Sequence, residues 1–525
     1  MAQVKITALG HAGLKVEMAQ ATVLIDPWFS PEGAFQASWF QFPDNSHLLS
    51  PSLFEPTAVV ISHEHLDHVD PWFLSRVPSN IPVVIPRYPS PVLRHKVESG
   101  GKRPIIEVSP WERVDLAEDT SVFFVSEESP MNHDSAIVIQ ADGQTLLDLN
   151  DARLFPVQFR GIRQEVGGEI DLFAFQGAGA SWYPMCYPYP KERSEQLSHQ
   201  KRLAKFAYAA SAIRVVEPVT SLPFAGPPCF LDAEIFRHND EMDSGIFPDQ
   251  DQVADWLAGQ GIENSVVLLP GDGWDVSARE KDSDPVWEDF SLAERAPYLE
   301  RYAKRRREQV EEVRASHPEP RESLWDPFHE YFSRLLGMSP YFNARIGMPV
   351  GFDITGHGGG QWTVDFRPGS EGVRNEMGEC GYTYRFSSRW LPSLLSGATP
   401  WEDFFLSLRF EAWRDPDVYN DHLLGLLKFA EPEALEAVEA FETSMDSDER
   451  ITIHAEGRSY SIGRYCPHAG NDLLNTAEIL PGGIVRCLAH HYEFELETGR
   501  CVNGNCSPLD VEMLEDAAVE PNPQA

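Results

Sequence analysis

Val59-Val60-Ile61-Ser62-His63-Glu64-His65-Leu66-Asp67-His68 is a short apolar run that opens into three histidines and two carboxylates. The apolar part reads as a buried strand. The donors then form the loop that leaves it, where open α/β sheets present side chains to a site. So dense a histidine and aspartate cluster suits two metal ions. A second set of donors lies near the other end of the chain. Cys466-Pro467-His468 is followed, after eighteen intervening residues, by Cys487-Leu488-Ala489-His490.

Between these motifs the chain is long enough for two to four domains. Its strand-like runs in the first half are Val4–Leu9, Thr22–Ile25, Ala58–Ser62, Ile81–Ile85, Val122–Val125, Ala136–Ile139 and Thr145–Leu149. Each ends at Gly, Pro, Asp or His, the pattern of a layered α/β domain over residues 1–275. The Pro-rich, acidic stretch Asp272–Pro285 reads as its boundary. A middle domain of helices and α+β structure is expected over 276–446. It contains a long helix at Trp287–Arg314, whose Lys304–Arg307 run reads as a solvated face. A hairpin Phe352–Thr355 to Trp362–Phe366 turns through Gly356–Gly360. Helical patterns follow at Pro392–Leu395, Trp401–Trp413 and Asp421–Phe441. This region is similar to the sterol-carrier-protein-like fold. Residues 447–515 form a third unit, and 516–525 an acidic, disordered tail.

The net charge of −38 excludes a nucleic-acid partner, because such a chain repels phosphate. An anionic substrate would need a locally basic pocket; a cationic amine suits the negative field better. No apolar run approaches the roughly 18–20 residues that span a bilayer. With no signal-peptide pattern at Met1–Ile6, a cytoplasmic protein is expected. Seven cysteines, four of them between 466 and 506, are too few for a disulfide scaffold.

One Cys and one His from each of two short loops is the ligand set of a Rieske [2Fe–2S] centre, with thiolates on one iron and imidazoles on the other. Zinc sites of the Cys2His2 kind instead pair Cys with Cys and His with His. His468-Ala469-Gly470 and the run Tyr492–Gly499 complete the pattern, so residues 448–512 resemble a Rieske domain. The resemblance assigns the cluster to Cys466, His468, Cys487 and His490. His491, beside the last ligand, is the residue most easily mistaken for it. Cys501 and Cys506 have no ligand role in this pattern.

His-x-His-x-Asp-His after a β-run resembles the signature loop of the metallo-β-lactamase fold, an αββα sandwich. The resemblance implies that His63 and His65 bind one metal while Asp67 and His68 serve a second. It makes His133 the third histidine of the first site and Asp151 the bridging carboxylate, with Asn150 in place of the usual Gly. Asp26, in Ile25-Asp26-Pro27-Trp28, would orient the loop. The family's last histidine has no counterpart in Pro223–Cys229. The second site is therefore either incomplete or completed by His238 or by His11.

Imidazole and carboxylate hold zinc, manganese or iron equally well. Zinc has no redox chemistry, so a Rieske domain in the same chain shifts the expectation to iron, mononuclear or dinuclear, and to O2 activation. The combination resembles the CMP-N-acetylneuraminate hydroxylase family, with the Rieske domain last instead of first. That resemblance implies a monooxygenase performing hydroxylation or N-oxygenation of a small polar amine, amide or sugar. Its electrons would come from a ferredoxin, cytochrome or flavin reductase, with homo-oligomerisation left open. Two alternatives remain: a zinc or manganese hydrolase with a redox-sensing Rieske domain, and an electron-transfer module.

Overall fold

The computed structural model describes residues 4–179, 181–239, 245–292, 295–444, 447–468, 470–488, 491–503 and 506–514. Two sheets face each other in the N-terminal unit. The first has eight strands, in the order Glu280–Asp282, Gly273–Asp275, Lys5–Gly10, Gly13–Glu17, Thr22–Ile25, Ala58–Val60, Val83–Pro86 and Ile105–Val108. The second has six, from Thr220–Phe224 through Leu172–Gln176, Gln144–Asp148, Ser135–Ala141 and Thr120–Ser126 to Val114–Ala117.

Strand alternation divides the core. Ala58 and Val60 face the inter-sheet core with Ile137, Leu146 and Leu172, while Val59 and Ile61 turn outward onto Phe73, Leu93 and Val97. Phe173 and Phe175 turn the other way, onto Phe159, Phe206 and Leu257 of the helices covering the second sheet. Helices thus cover both outer faces, which is the αββα sandwich expected. The hairpin Gly273–Asp282 pairs with Lys5–Thr7, so the first sheet runs on through the stretch read as a boundary.

The middle unit is a five-stranded sheet, in the order Val373–Arg374, Gly360–Asp365, Pro349–Thr355, Tyr382–Ser387 and Phe410–Arg414. The expected hairpin is present, from Pro349↔Asp365 to Ile354↔Gly360. Two helix readings are corrected. Trp401–Trp413 is helical only to Leu406. Leu408, at φ 57°, breaks it, and Phe410–Arg414 joins the sheet instead. The Asp421–Phe441 pattern is two helices, Asp421–Phe429 and Pro432–Ser444, divided at Ala430 (φ 47°) by the proline that starts the second.

The long helix spans Arg295–Ser316. Its basic run is not wholly solvated: Arg305 and Arg306 reach the Asp44 carboxylate at 3.0 and 3.2 Å. Tyr302 is fully buried against the N-terminal unit, among Phe40, Phe42 and Cys229. A larger core also spans the N-terminal and middle units. One aromatic cluster runs from Trp28, Phe35, Trp39 and Phe247 to Phe328, Phe352, Trp362, Tyr384 and Trp401. Aromatic side chains bury so much area that this cluster fixes the middle unit over the loops at the sheet ends.

Two three-stranded sheets make the C-terminal unit: Arg450–Ala455, Arg458–Gly463 and Val511–Leu514, then Ala477–Leu480, Ile484–Cys487 and Glu493–Glu495. Its core of Tyr460, Ile462, Val485, Phe494 and Leu496 includes Phe155 from the N-terminal unit.

Lys96 ties the first two units together. Its ammonium donates to both Asp403 oxygens, at 3.0 and 2.8 Å, and to the Glu64 carbonyl at 2.8 Å. Asp403 is 3% exposed, so its charge depends on this partner. Lys96→Met is expected to cost about 3–5 kcal/mol, read as a fall in the urea midpoint, with Lys96→Met/Asp403→Asn recovering most of it. A loss below about 1 kcal/mol would show that water already screens the pair.

Candidate metal centres

The histidine loop is held from behind. Asp26 ends its strand with a left-handed backbone, φ 40°. Its carboxylate accepts from the Ser62 N–H at 2.8 Å and the Ser62 hydroxyl at 2.5 Å, and meets His68 Nδ1 at 2.7 Å. This turns His68 Nε2 inward, buried and without a hydrogen-bond partner. His63 Nε2 and His65 Nδ1 converge to 2.9 Å, and His68 Nε2 lies 3.6 Å from Asp151 Oδ1.

Two groups of donors lie within 4.8 Å of one another: His63, His68 and Asp151, and His11, Asp67 and His68. Of the two histidines weighed for the second site, it is His11 that the structure brings to Asp67, its Nε2 2.9 Å from Asp67 Oδ2. His238 stands on the turn Phe236–Asn239, its ring against Phe230. His133 lies between Tyr88 and Phe429, each 4.7 Å away ring to ring, with Nδ1 3.4 Å from Glu64 Oε1 and Nε2 buried without a partner. His11, Asp26, Asn150 and Ala225 all take positive φ around this centre, the concentration of strain that functional sites tolerate.

Several residues at the centre escape sequence reasoning. Asp134 Oδ1 is 3.8 Å from His63 Nε2; its position beside His133 was a signal. Glu402 and Lys428 carried none, since each looks like an ordinary helix-surface charge. Glu402 Oε2 lies 3.4 Å from His65 Nε2, and Lys428 reaches Glu402 at 2.9 Å and Glu64 at 3.4 Å.

Electrostatics fit a cation. Burial disfavours charge on His68, yet Asp67, Asp26 and Asp151 hold its pKa up at about 10. Burial likewise opposes charge on His65, but Glu402 raises it to about 9. The buried atoms Asp67 Oδ1, His68 Nε2, His133 Nε2 and Asp151 Oδ1 make no hydrogen bond and are the donor types a metal would take up. A metal would displace the protons that the rings otherwise keep.

In the C-terminal unit, Cys466 and Cys487 are buried with their sulfurs side by side, and burial followed by Cys487 pushes the Cys466 thiol well up. Two such thiols suit a thiolate-bound iron. His490 lies outside the described residues. His468 stacks on Tyr492, rings 4.0 Å apart, and its Nε2 bonds Asp421. The Tyr492 hydroxyl donates to the same carboxylate at 2.7 Å.

Asp421 belongs to the middle unit and begins the Asp421–Phe429 helix. Lys428 and Phe429 at the other end of that helix touch Glu64, Glu402 and His133. Nine helical residues rise only roughly 13 Å. The two centres are therefore joined by one short, rigid element.

A protein of Mycolicibacterium smegmatis named as a Rieske 2Fe-2S iron–sulfur protein is 30% identical over 518 residues, covering 95% of this chain and 98% of that one. The chain belongs to this Rieske 2Fe-2S protein family. Within it, a Beta-lactamase superfamily domain matches residues 21–216 and a Rieske [2Fe-2S] domain residues 428–512. The Rieske domain carries a [2Fe–2S] cluster. Cytidine monophosphate-N-acetylneuraminic acid hydroxylase of Asterias rubens is 26% identical over 243 residues, 45% of this chain and 36% of that enzyme. Among solved structures, the diiron β-hydroxylase CmlA of Streptomyces venezuelae is similar at TM-score 0.35 and 16% identity, over 52% of this chain and about half, 53%, of its own. No helix among the described residues is long and apolar enough to cross a membrane.

His68→Ala in this Rieske 2Fe-2S protein is expected to remove at least half of the metal beyond the cluster iron, measured by mass spectrometry, and to leave the visible cluster absorption unchanged. Cys466→Ser should do the reverse. Parallel loss of both signals in both variants would mean unfolding rather than two separate centres.

Proposed function

We propose that this protein is a Rieske-dependent non-haem iron monooxygenase acting on a small polar molecule by hydroxylation or N-oxygenation. One observation carries the reading: the Asp421–Phe429 helix contacts a candidate cluster ligand at one end and the N-terminal centre at the other. A redox cluster placed so close to a hydrolytic zinc site would have nothing to reduce. Similarity to the hydroxylase of Asterias rubens supports the same class of reaction.

In this reading the ligands of the N-terminal centre are His63, His65, His133, Asp67, His68 and Asp151, joined by His11. Cys466, His468, Cys487 and His490 hold the cluster. If held there, the cluster would supply single electrons and the iron would supply O2 chemistry, one oxygen atom going to the substrate and the other, with two electrons and two protons, to water. The chain's own residues set the geometry. Asp26 fixes the His68 tautomer and orientation. Asp421 and Tyr492 fix the His468 ring. The Glu402–Lys428 pair, held by the middle unit, closes the site beside His65 and keeps water from it. Electrons come from a ferredoxin, a cytochrome or a flavin reductase. The middle unit acts as the connector.

The protein isolated without oxygen should contain more than two irons per chain and should oxidise its reduced cluster when O2 is added. Asp421→Ala should slow that oxidation at least tenfold in stopped flow while both metal contents stay unchanged. Activity that needs neither O2 nor reductant, in a protein holding zinc, would replace the reading with a hydrolase.

A further inference from the structure

Lys201 and Lys205 stand one turn apart on the Lys191–Val216 helix, so they leave it from the same face. The Lys201 ammonium donates to the Ser181 hydroxyl and, at 3.2 Å, to the Tyr183 carbonyl. That of Lys205 donates to the Gln176 side-chain oxygen and, at 3.3 Å, to the Ala178 carbonyl. It is pressed so closely against the turn that a Cβ at Gly179 would collide with it. All four acceptors are neutral. Among the described residues, no carboxylate pairs with either lysine.

Arg153 stands with them, two residues beyond Asp151. Its backbone N–H donates to Glu127 at 2.6 Å, while its guanidinium forms no ion pair with a described residue. The chain has 81 acidic residues against 43 basic ones. Three neighbouring, part-buried cations without a carboxylate are therefore not a product of composition. Their cost is real: burial, then each other's charge, holds Lys201 well below the ordinary lysine range. Burial and Arg153 bring Lys205 to about 7 even with Asp151, Asp134 and Glu127 in its field. Such an arrangement persists where a missing anion completes it.

Position shows what the anion belongs to. A gap of about 10 Å³, room for a single water, has His11, Asp67 and Asp151 of the metal centre on one side. Gln176, Ala178 and Gly179, the segment that holds Lys205, lie on the other. Lys205 thus holds the segment that borders Asp67 and Asp151.

We propose that Arg153, Lys201 and Lys205 bind an anionic group, a carboxylate or phosphate, of the small molecule on which the N-terminal centre acts. Naming that molecule as the substrate rests on the monooxygenase reading; anion binding itself does not. Bound there, the anionic end would be held by these side chains, beside the segment that borders Asp67 and Asp151.

The test titrates the metal-loaded, oxidised protein with inorganic phosphate and, separately, with acetate, by calorimetry at constant ionic strength set with chloride. One equivalent of at least one anion should bind saturably; which one does assigns the group as phosphate or carboxylate. Lys201→Met and Lys205→Met should each weaken binding at least tenfold, with cluster absorption and metal content unchanged. Lys304→Met, on an exposed helix face, should leave it unaltered. If neither anion saturates the wild-type protein, or if both lysine variants bind like wild type, the site does not exist. The readout uses no O2 and no reductant. Anion binding in a protein without oxygenase activity would therefore leave this site standing and remove only the monooxygenase reading.

Discussion

The Asp421–Phe429 helix is bonded at both ends to groups outside its own domain, and the arrangement of the whole molecule follows from that. Its charges obey the helix dipole: Asp421 stands in the first turn and Lys428 in the last. Asn420 caps it by accepting from the Leu423 N–H at 2.9 Å. Both charges also have partners in other units, His468 and Tyr492 at one end and Glu64 at the other, where Lys428 also pairs with Glu402 of its own unit. Seven of its nine residues are buried, Leu423, Leu426 and Phe429 among them, so the helix cannot shift without disturbing the aromatic core. A rigid spacer between two donor-rich centres is what short-range electron exchange needs.

Local donors were legible in the sequence because their spacing is itself the chemistry. His63, His65, Asp67 and His68 come from one loop, and Cys466 and His468 from another. Asn150, in the place of a glycine, adopts φ 49°, a conformation that asparagine tolerates. The rest of the site was hidden for a physical reason. Glu402, Lys428 and Asp421 lie on amphipathic helices, where a charge normally faces water, and only tertiary packing turns them inward. The same blindness affected Arg305 and Arg306, and Leu408, whose left-handed backbone ends a helix that the apolar pattern would continue. Spacing did not separate His11 from His238; in the fold it is His11 that contacts Asp67.

The proposed anion site bears on how far net charge governs the choice of substrate. A charge of −38 governs what approaches from beyond a Debye length, about 8 Å at physiological salt. Inside a pocket, the nearest few groups dominate. The proposed group of Arg153, Lys201 and Lys205 would therefore act on a bound molecule more strongly than an acidic surface that is mostly screened from it. The acidic exterior also keeps stray anions from concentrating near the protein, so occupancy of the pocket would depend on shape as well as charge.

The reversed order of the two metal domains, relative to the hydroxylase family that the chain resembles, ceases to be a difficulty once the middle unit is understood as a spacer with two faces. Chain order matters only if neighbouring domains must be joined by short linkers. Here the aromatic cluster from Trp28 to Trp401 seats the middle unit on the N-terminal loops. Phe155 enters the Rieske core from the N-terminal side, and Asp421 reaches that domain from the middle unit. Each domain thus touches both others. With three mutual contacts, the relative placement of the two centres is set by packing rather than by connectivity, and a Rieske domain at either end of the chain could occupy the same position.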